Sequence, residues 1–167
     1  DNTFRFMAHF SGSDLTVADG RRRISLLHSD GAPEFKGAID KLNTLIQTSQ
    51  PGVHETNAVA ERANQDVLDG LRTALVQAGL PACFWEYAGP LYCCHRNFMA
   101  DEAGLSPWQR FHGVPFHGRL IPLGARVTFK PNTTKKTDVQ KMGPQTIDGI
   151  FVGYVLDPGL KWSGEYM

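Results

Sequence analysis

An α/β unit followed by a small β module is the fold class that the sequence predicts, and three observations predict it. A short apolar run, Ile24-Ser25-Leu26-Leu27, stops at His28-Ser29-Asp30-Gly31, as a strand does that delivers a carboxylate at its C-terminal end. Ala60, Ala63, Val67, Leu71, Ala74 and Ala78 recur at intervals of three and four, the stripe of an amphipathic helix. From Leu123 the pattern changes to short runs: Val127 with Phe129, then Gly149 to Val155, then Trp162 and Tyr166. These read as strands joined by polar loops. The change places a domain boundary near residues 113–122.

The elements follow in order. Residues 4–10 alternate Phe4, Phe6, Ala8 and Phe10 with Arg5, Met7 and His9, the pattern of a half-buried strand. Residues 36–47 carry Ile39, Leu42, Leu45 and Ile46 at helical spacing, and Ser49-Gln50-Pro51-Gly52 breaks that helix. The long stripe predicts one helix from Asn57, closed by Gly79 with Pro81 just beyond, and buries Ala63, Val67, Leu71 and Ala74. Residues 84–99 predict another helix, broken by Pro90, and Pro107-Trp108-Gln109-Arg110-Phe111 a short helical turn. There is no internal repeat.

Composition narrows the function classes. The apolar fraction of 41% over 167 residues fits a folded chain and not a disordered one. Seventeen Lys/Arg balance seventeen Asp/Glu, so no global basic charge draws the chain to nucleic acid. The charges are unevenly placed: ten basic against thirteen acidic residues over 1–118, and seven against four over 119–167. That asymmetry suits a metal centre beside a phosphate-contacting module, and equally suits ordinary surface variation. Cys83, Cys93 and Cys94 form neither a disulfide framework nor a zinc motif and read as reduced thiols. No signal peptide or long apolar run appears, which predicts a soluble chain; a start at Asp1 predicts a fragment.

Three carboxylates stand where a metal site could be assembled: Asp1 before the first apolar pattern, Asp30 at a strand end and Glu61 at the start of the long helix. Hard divalent cations take several oxygen ligands, and two of them can activate an attacking oxygen and stabilise a leaving one in phosphodiester displacement. The alternative is purely structural, since Asp after a strand is a common turn residue and Glu near a helix start favours the macrodipole. His54, His112 and His117 read as surface loop histidines, His28 as a packing residue, and Arg21-Arg22-Arg23 as a solvated lead-in to a strand.

Local sequence adds a resemblance. His28 to Phe35 is similar to the DNGGEF segment around the second catalytic aspartate of retroviral-type integrases. Ser49-Gln50-Pro51 with Asn57-Ala58-Val59-Ala60-Glu61-Arg62-Ala63-Asn64 looks like the family's S-x-P followed by NGVAERxN, whose glutamate is a metal ligand. Ala78 to Trp85 matches AxLPxxFW of copia-type elements, Ser106 to Gly113 is similar to TPYExWxG, and Gly149 to Tyr154 is similar to GIFLGY. Asp1 to Phe6 resembles DDxSRY, whose first aspartate is a metal ligand. Any one of these motifs is weak; together, in order, they are specific.

The resemblance to copia-type retrotransposon integrases implies a truncated ribonuclease-H-like catalytic core over residues 1–112. It also implies a Src-homology-3-like β barrel over residues 119–167, incomplete at its C-terminus. It implies polynucleotidyl transfer in DNA integration, with Asp1, Asp30 and Glu61 holding Mg2+ or Mn2+ and Asn64, Gln65, Lys135 and Lys136 contacting DNA. The partners implied are element ends and target DNA, with a homo-oligomer as a further option and no membrane. The location implied is the nucleus or a cytoplasmic virus-like particle, and the parent a Pol polyprotein. The chain departs from the pattern at Gly31, at Ala58 and in a shortened Asp30–Glu61 interval, and only twenty-eight residues lie between Asp1 and Asp30. These departures set two further readings beside the enzyme: an inactive remnant with residual nucleic-acid binding, and a domesticated interaction module.

Overall fold

A computed structural model describes residues 2–12, 24, 26–29, 45–48, 58–131 and 143–167. In chain order these form α1 (Asn2–Ser11), β1 (Leu26–Ser29), β2 (Leu45–Thr48), α2 (Ala58–Ala78), a 3-10 turn (Ala82–Phe84), α3 (Trp85–Phe98), α4 (Pro107–His112), β3 (Arg126–Phe129), β4 (Ile147–Ile150), β5 (Tyr154–Asp157) and β6 (Lys161–Tyr166).

The first element corrects the sequence reading: residues expected to be a strand form a helix. On a helix Met7 and Ser11, four apart, share the buried side, and Phe10 lies beside them against Phe111 at 5.8 Å between ring centroids. Phe6, which the alternation had buried, is 70% exposed. The decisive contact is distant in sequence. The Gly159 amide donates to the His9 carbonyl at 2.7 Å, and Gly12, at φ 73°, lies so close to Gly159 that a Cβ would fall 2.8 Å from its Cα.

The second correction concerns residues 36–47, expected to be a helix. Leu45 and Ile46 belong to β2, which pairs in parallel with β1 in the register Leu26↔Leu45 to Ser29↔Thr48. Residues 31–44 lie outside the described residues. Backbone pairing to a strand sixteen or more positions away competes successfully with a local 3.6-residue stripe, since β preference is set largely by the partner surface.

α2 runs as expected, and its end has a definite cause. Gly79 takes φ 64°, its amide donates to Val76 and the Leu80 amide donates to Leu75, which is the paired-bond C-cap that glycine makes possible. The burial of its stripe is a third correction. Only Leu75 is buried; Val67, Leu71 and Ala74 are half-buried and Ala63 is exposed, as is the whole run 59–66. α3 covers only the far part of α2. At its outer limit, the Tyr92 hydroxyl donates to Asp66 at 3.1 Å and Arg96 pairs with the same carboxylate at 3.1 Å. The Tyr92 ring lies over Gly70, which explains a glycine in mid-helix: any Cβ there would stand 2.1 Å from the ring.

α3 passes through Pro90 unbroken. The missing Pro90 amide removes one hydrogen bond near the helix start, and burial of Ala88 and Leu91 on either side opposes that loss. α4 is short and fully specified. The Ser106 hydroxyl accepts from the Gln109 amide, Pro107 occupies the first turn, and Gly113 at φ 77° returns its amide to the Gln109 carbonyl.

Among the described residues there are three two-stranded sheets: β1–β2 parallel, β3–β4 antiparallel and β5–β6 antiparallel with a bulge between Tyr154 and Leu156. They do not close on one another, so the expected barrel is not seen. One buried cluster joins helices to strands: Leu75, Ala88, Leu91, Phe98, Leu123, Phe151 and Tyr154. Its centre is aromatic. Phe98 stacks on Phe116 at 3.6 Å, and Trp108 and Tyr154 meet Phe98 edge-on at 5.1 and 5.2 Å. This cluster draws on residues from both sides of the 113–122 stretch. No helix among the described residues is long and apolar enough to cross a membrane.

Candidate functional site

Of the three carboxylates read from the sequence, Glu61 is described. It lies in the first turn of α2, exposed. Asp1 and Asp30 lie outside the described residues, so the expected approach of Asp30 to Glu61 does too. What is described is the residue before Asp30: Ser29, buried at the end of β1. Among the described residues no group of three or more His, Cys, Asp or Glu side chains could hold a metal ion. Asn64 and Gln65 are exposed on α2, and Gln65 spends its amide on Asp69 at 2.8 Å, a carboxylate that Arg72 also engages. Lys135 and Lys136, like His54 and Arg21 to Arg23, lie outside the described residues.

The cysteines are free. Burial, with the neighbouring Cys93 thiol adding to it, pushes the Cys94 thiol up to about 11, and burial followed by Asp66 raises that of Cys93. Both are therefore protonated at neutral pH, which disfavours roles as thiolate ligand or nucleophile. His117 lies exposed at the edge of the aromatic cluster against Trp162 at 5.4 Å, and the half-buried His112 meets Trp108 at 4.0 Å with the rings tilted by 39°.

The most developed polar arrangement is one the sequence reading passed over. The Tyr154 hydroxyl donates to the Arg119 carbonyl at 2.8 Å and accepts from the Ile121 amide at 3.1 Å, while His95 Nε2 stands 3.3 Å from the same oxygen. A hydroxyl has one proton, and with that proton on the Arg119 carbonyl the contact with His95 calls for the imidazole tautomer that donates from Nε2. This knot ties α3, β5 and the 119–121 segment together. Beside it opens a cavity of about 580 Å3 between α2, α3 and residues 120–125, with Gln77, Tyr92 and His95 among its polar walls.

Burial holds the His95 imidazole below its ordinary value, against a smaller upward pull from a hydrogen bond to the Ile121 backbone. The folded form therefore binds its proton less readily than the unfolded chain, whose histidines titrate near about 6.5. The contribution to stability is full above that pH and is lost as pH falls below it toward the lower folded value. Denaturant midpoints measured between pH 7.5 and 5 should fall for the native chain and fall less for His95→Gln. Equal slopes in the two proteins would refute the assignment.

No protein-family model matches this sequence, and no curated protein or solved structure is significantly similar to it.

Proposed function

We propose that this chain is a piece of a copia-type retrotransposon integrase that no longer joins DNA by itself but still binds it. The observation that carries the first half is the β1–β2 pair. Parallel strands need a crossover connection and belong to α/β folds; β1 stops directly before Asp30; and α2, the next described element after β2, carries Glu61 in its first turn. That order agrees with the motif order of the resemblance. Asp30 and Glu61, with Asp1 as third, would hold Mg2+ or Mn2+, which when bound stabilises charge developing on the transferred phosphate.

A specific observation favours loss of activity. The residues after Asp1, expected as the strand that would carry it, form a helix, a departure from the resemblance next to the first proposed ligand. Metal-dependent phosphoryl chemistry needs its carboxylates held to within about half an ångström by rigid elements. Binding to DNA would rest on Lys135, Lys136 and neighbouring Lys130 and Lys141.

The test is a strand-transfer assay on the purified chain with Mg2+ and with Mn2+, beside Asp30→Asn. The expected result is no joining by either protein. DNA affinity by fluorescence anisotropy should drop at least about tenfold between about 50 and 200 mM salt, and Lys135→Ala with Lys136→Ala should flatten that slope. Joining that vanishes in Asp30→Asn would overturn the inactive reading and support the site. Absence of DNA binding at low salt would sink the whole proposal.

A further inference from the structure

We propose that the cavity between α2, α3 and residues 120–125 is a binding site for an uncharged, flat, largely apolar small molecule, held by one hydrogen bond at its rim. The cavity is partly open to solvent, and its volume of about 580 Å3 is large enough to admit a molecule of several fused rings. Its position is the junction between the helical pair and the strands, the kind of place where such sites form.

The lining decides the ligand's charge. Alanines, leucines and Pro122 supply most of the wall, and among the described residues no Lys, Arg, Asp or Glu side chain lines it. A charged ligand would shed part of its hydration shell and meet no counter-charge among the described lining residues, which is costly against a mainly apolar wall. His95 does not alter this, because burial keeps its imidazole neutral.

The same inventory limits the ligand's polarity. The Tyr92 hydroxyl is committed to Asp66, and His95 Nε2 to Tyr154. Gln77 makes no side-chain hydrogen bond among the described residues, so its carboxamide is the polar group with capacity to spare. A ligand carrying one carbonyl or ring nitrogen at its edge would use it. Leu120 also lines the cavity and is 54% exposed, although an apolar side chain in water gains nothing there. A flat apolar face laid against it would cover it.

The experiment uses the full chain and two dyes with the same fused-ring skeleton: Nile red, uncharged with one carbonyl, and Nile blue, a cation. Nile red should bind saturably at one site per chain with a blue-shifted emission, and Nile blue at least about tenfold more weakly, since a cation must be desolvated without a partner. Leu120→Glu, a change at an exposed position, should weaken Nile red by about tenfold or more while leaving the thermal midpoint in place. Val76→Glu, on α2 next to Gln77 but not among the residues lining the cavity, should leave binding unchanged. Amide and side-chain resonances perturbed by Nile red should be those of Gln77, His95 and the 120–125 segment. Equal affinity for the two dyes, binding insensitive to Leu120→Glu, equal losses in Leu120→Glu and Val76→Glu, or resonance changes centred elsewhere would each overturn the proposal.

Discussion

Phe151→Ala should destabilise the fold by about 3–5 kcal/mol, the usual cost of removing a buried aromatic ring when its surroundings cannot collapse. Among the described residues Phe151 is the large side chain most completely removed from water, at 1% exposure. Its ring meets Tyr154 at 5.2 Å and Tyr166 at 6.0 Å, and its backbone is fixed on both sides. Its amide donates to Ala125 at 2.8 Å and its carbonyl accepts from Gly124 at 2.9 Å. Gly124 cannot move to fill the gap, being held at φ 75° against Ala78 of α2. The void therefore persists, and its lining loses dispersion contacts as well as transfer energy. Since a domain's whole stability is about 5–15 kcal/mol, this one change approaches the margin. Urea unfolding followed by fluorescence of Trp108 and Trp162 would measure it, with Val76→Ala as an exposed control. A loss under about 1 kcal/mol would show that Phe151 is not at the centre of the core.

How legible each element was depended on where its deciding contact lies. α2 and α4 were readable because their signals are local: Gly79 after a three-and-four stripe, and Ser106-Pro107 before an aromatic turn with Gly113 behind it. α1 was misread because residues 4–10 satisfy both periods. Phe4, Phe6, Ala8 and Phe10 alternate, while Met7, Phe10 and Ser11 fall three and four apart, and contact with Gly159 favours the helix. β2 was misread because its partner is β1, not its neighbours. The buried face of α2 was overextended because periodicity gives the direction of a stripe and not the length that another helix covers. Of the three candidate carboxylates, Glu61 is the one described, and it lies in the first turn of a helix as the stripe implied. The His95–Tyr154 contact spans 59 positions and had no local signal; the nearest hint was that Gly149 to Tyr154 ends on a tyrosine between glycine and β-branched residues.

Tyr154→Phe should cost about 2–4 kcal/mol, although it removes a single oxygen and nearly conserves volume. Because the ring remains, its edge-on contacts with Phe98 at 5.2 Å, Phe116 at 5.7 Å and Phe151 at 5.2 Å survive, and no cavity term enters. What goes is the hydrogen-bond centre. The Ile121 amide and His95 Nε2–H lose their acceptor, and the Arg119 carbonyl loses its donor, in a part-buried junction where water replaces them poorly. Three orphaned groups, each worth about 1 kcal/mol or somewhat more, give the range stated. The double variant with His95→Leu separates the terms. If His95 contributes mainly through this contact, the two losses should be markedly less than additive, with a coupling of about 0.5–2 kcal/mol. The variant should also unpin residues 119–121 from β5, so amide exchange at Ile121 should accelerate more than exchange at Leu75 in the core. A Tyr154→Phe protein as stable as the parent, with additive effects in the double variant, would mean that solvent already serves these three groups and that packing alone joins the strands to the helices.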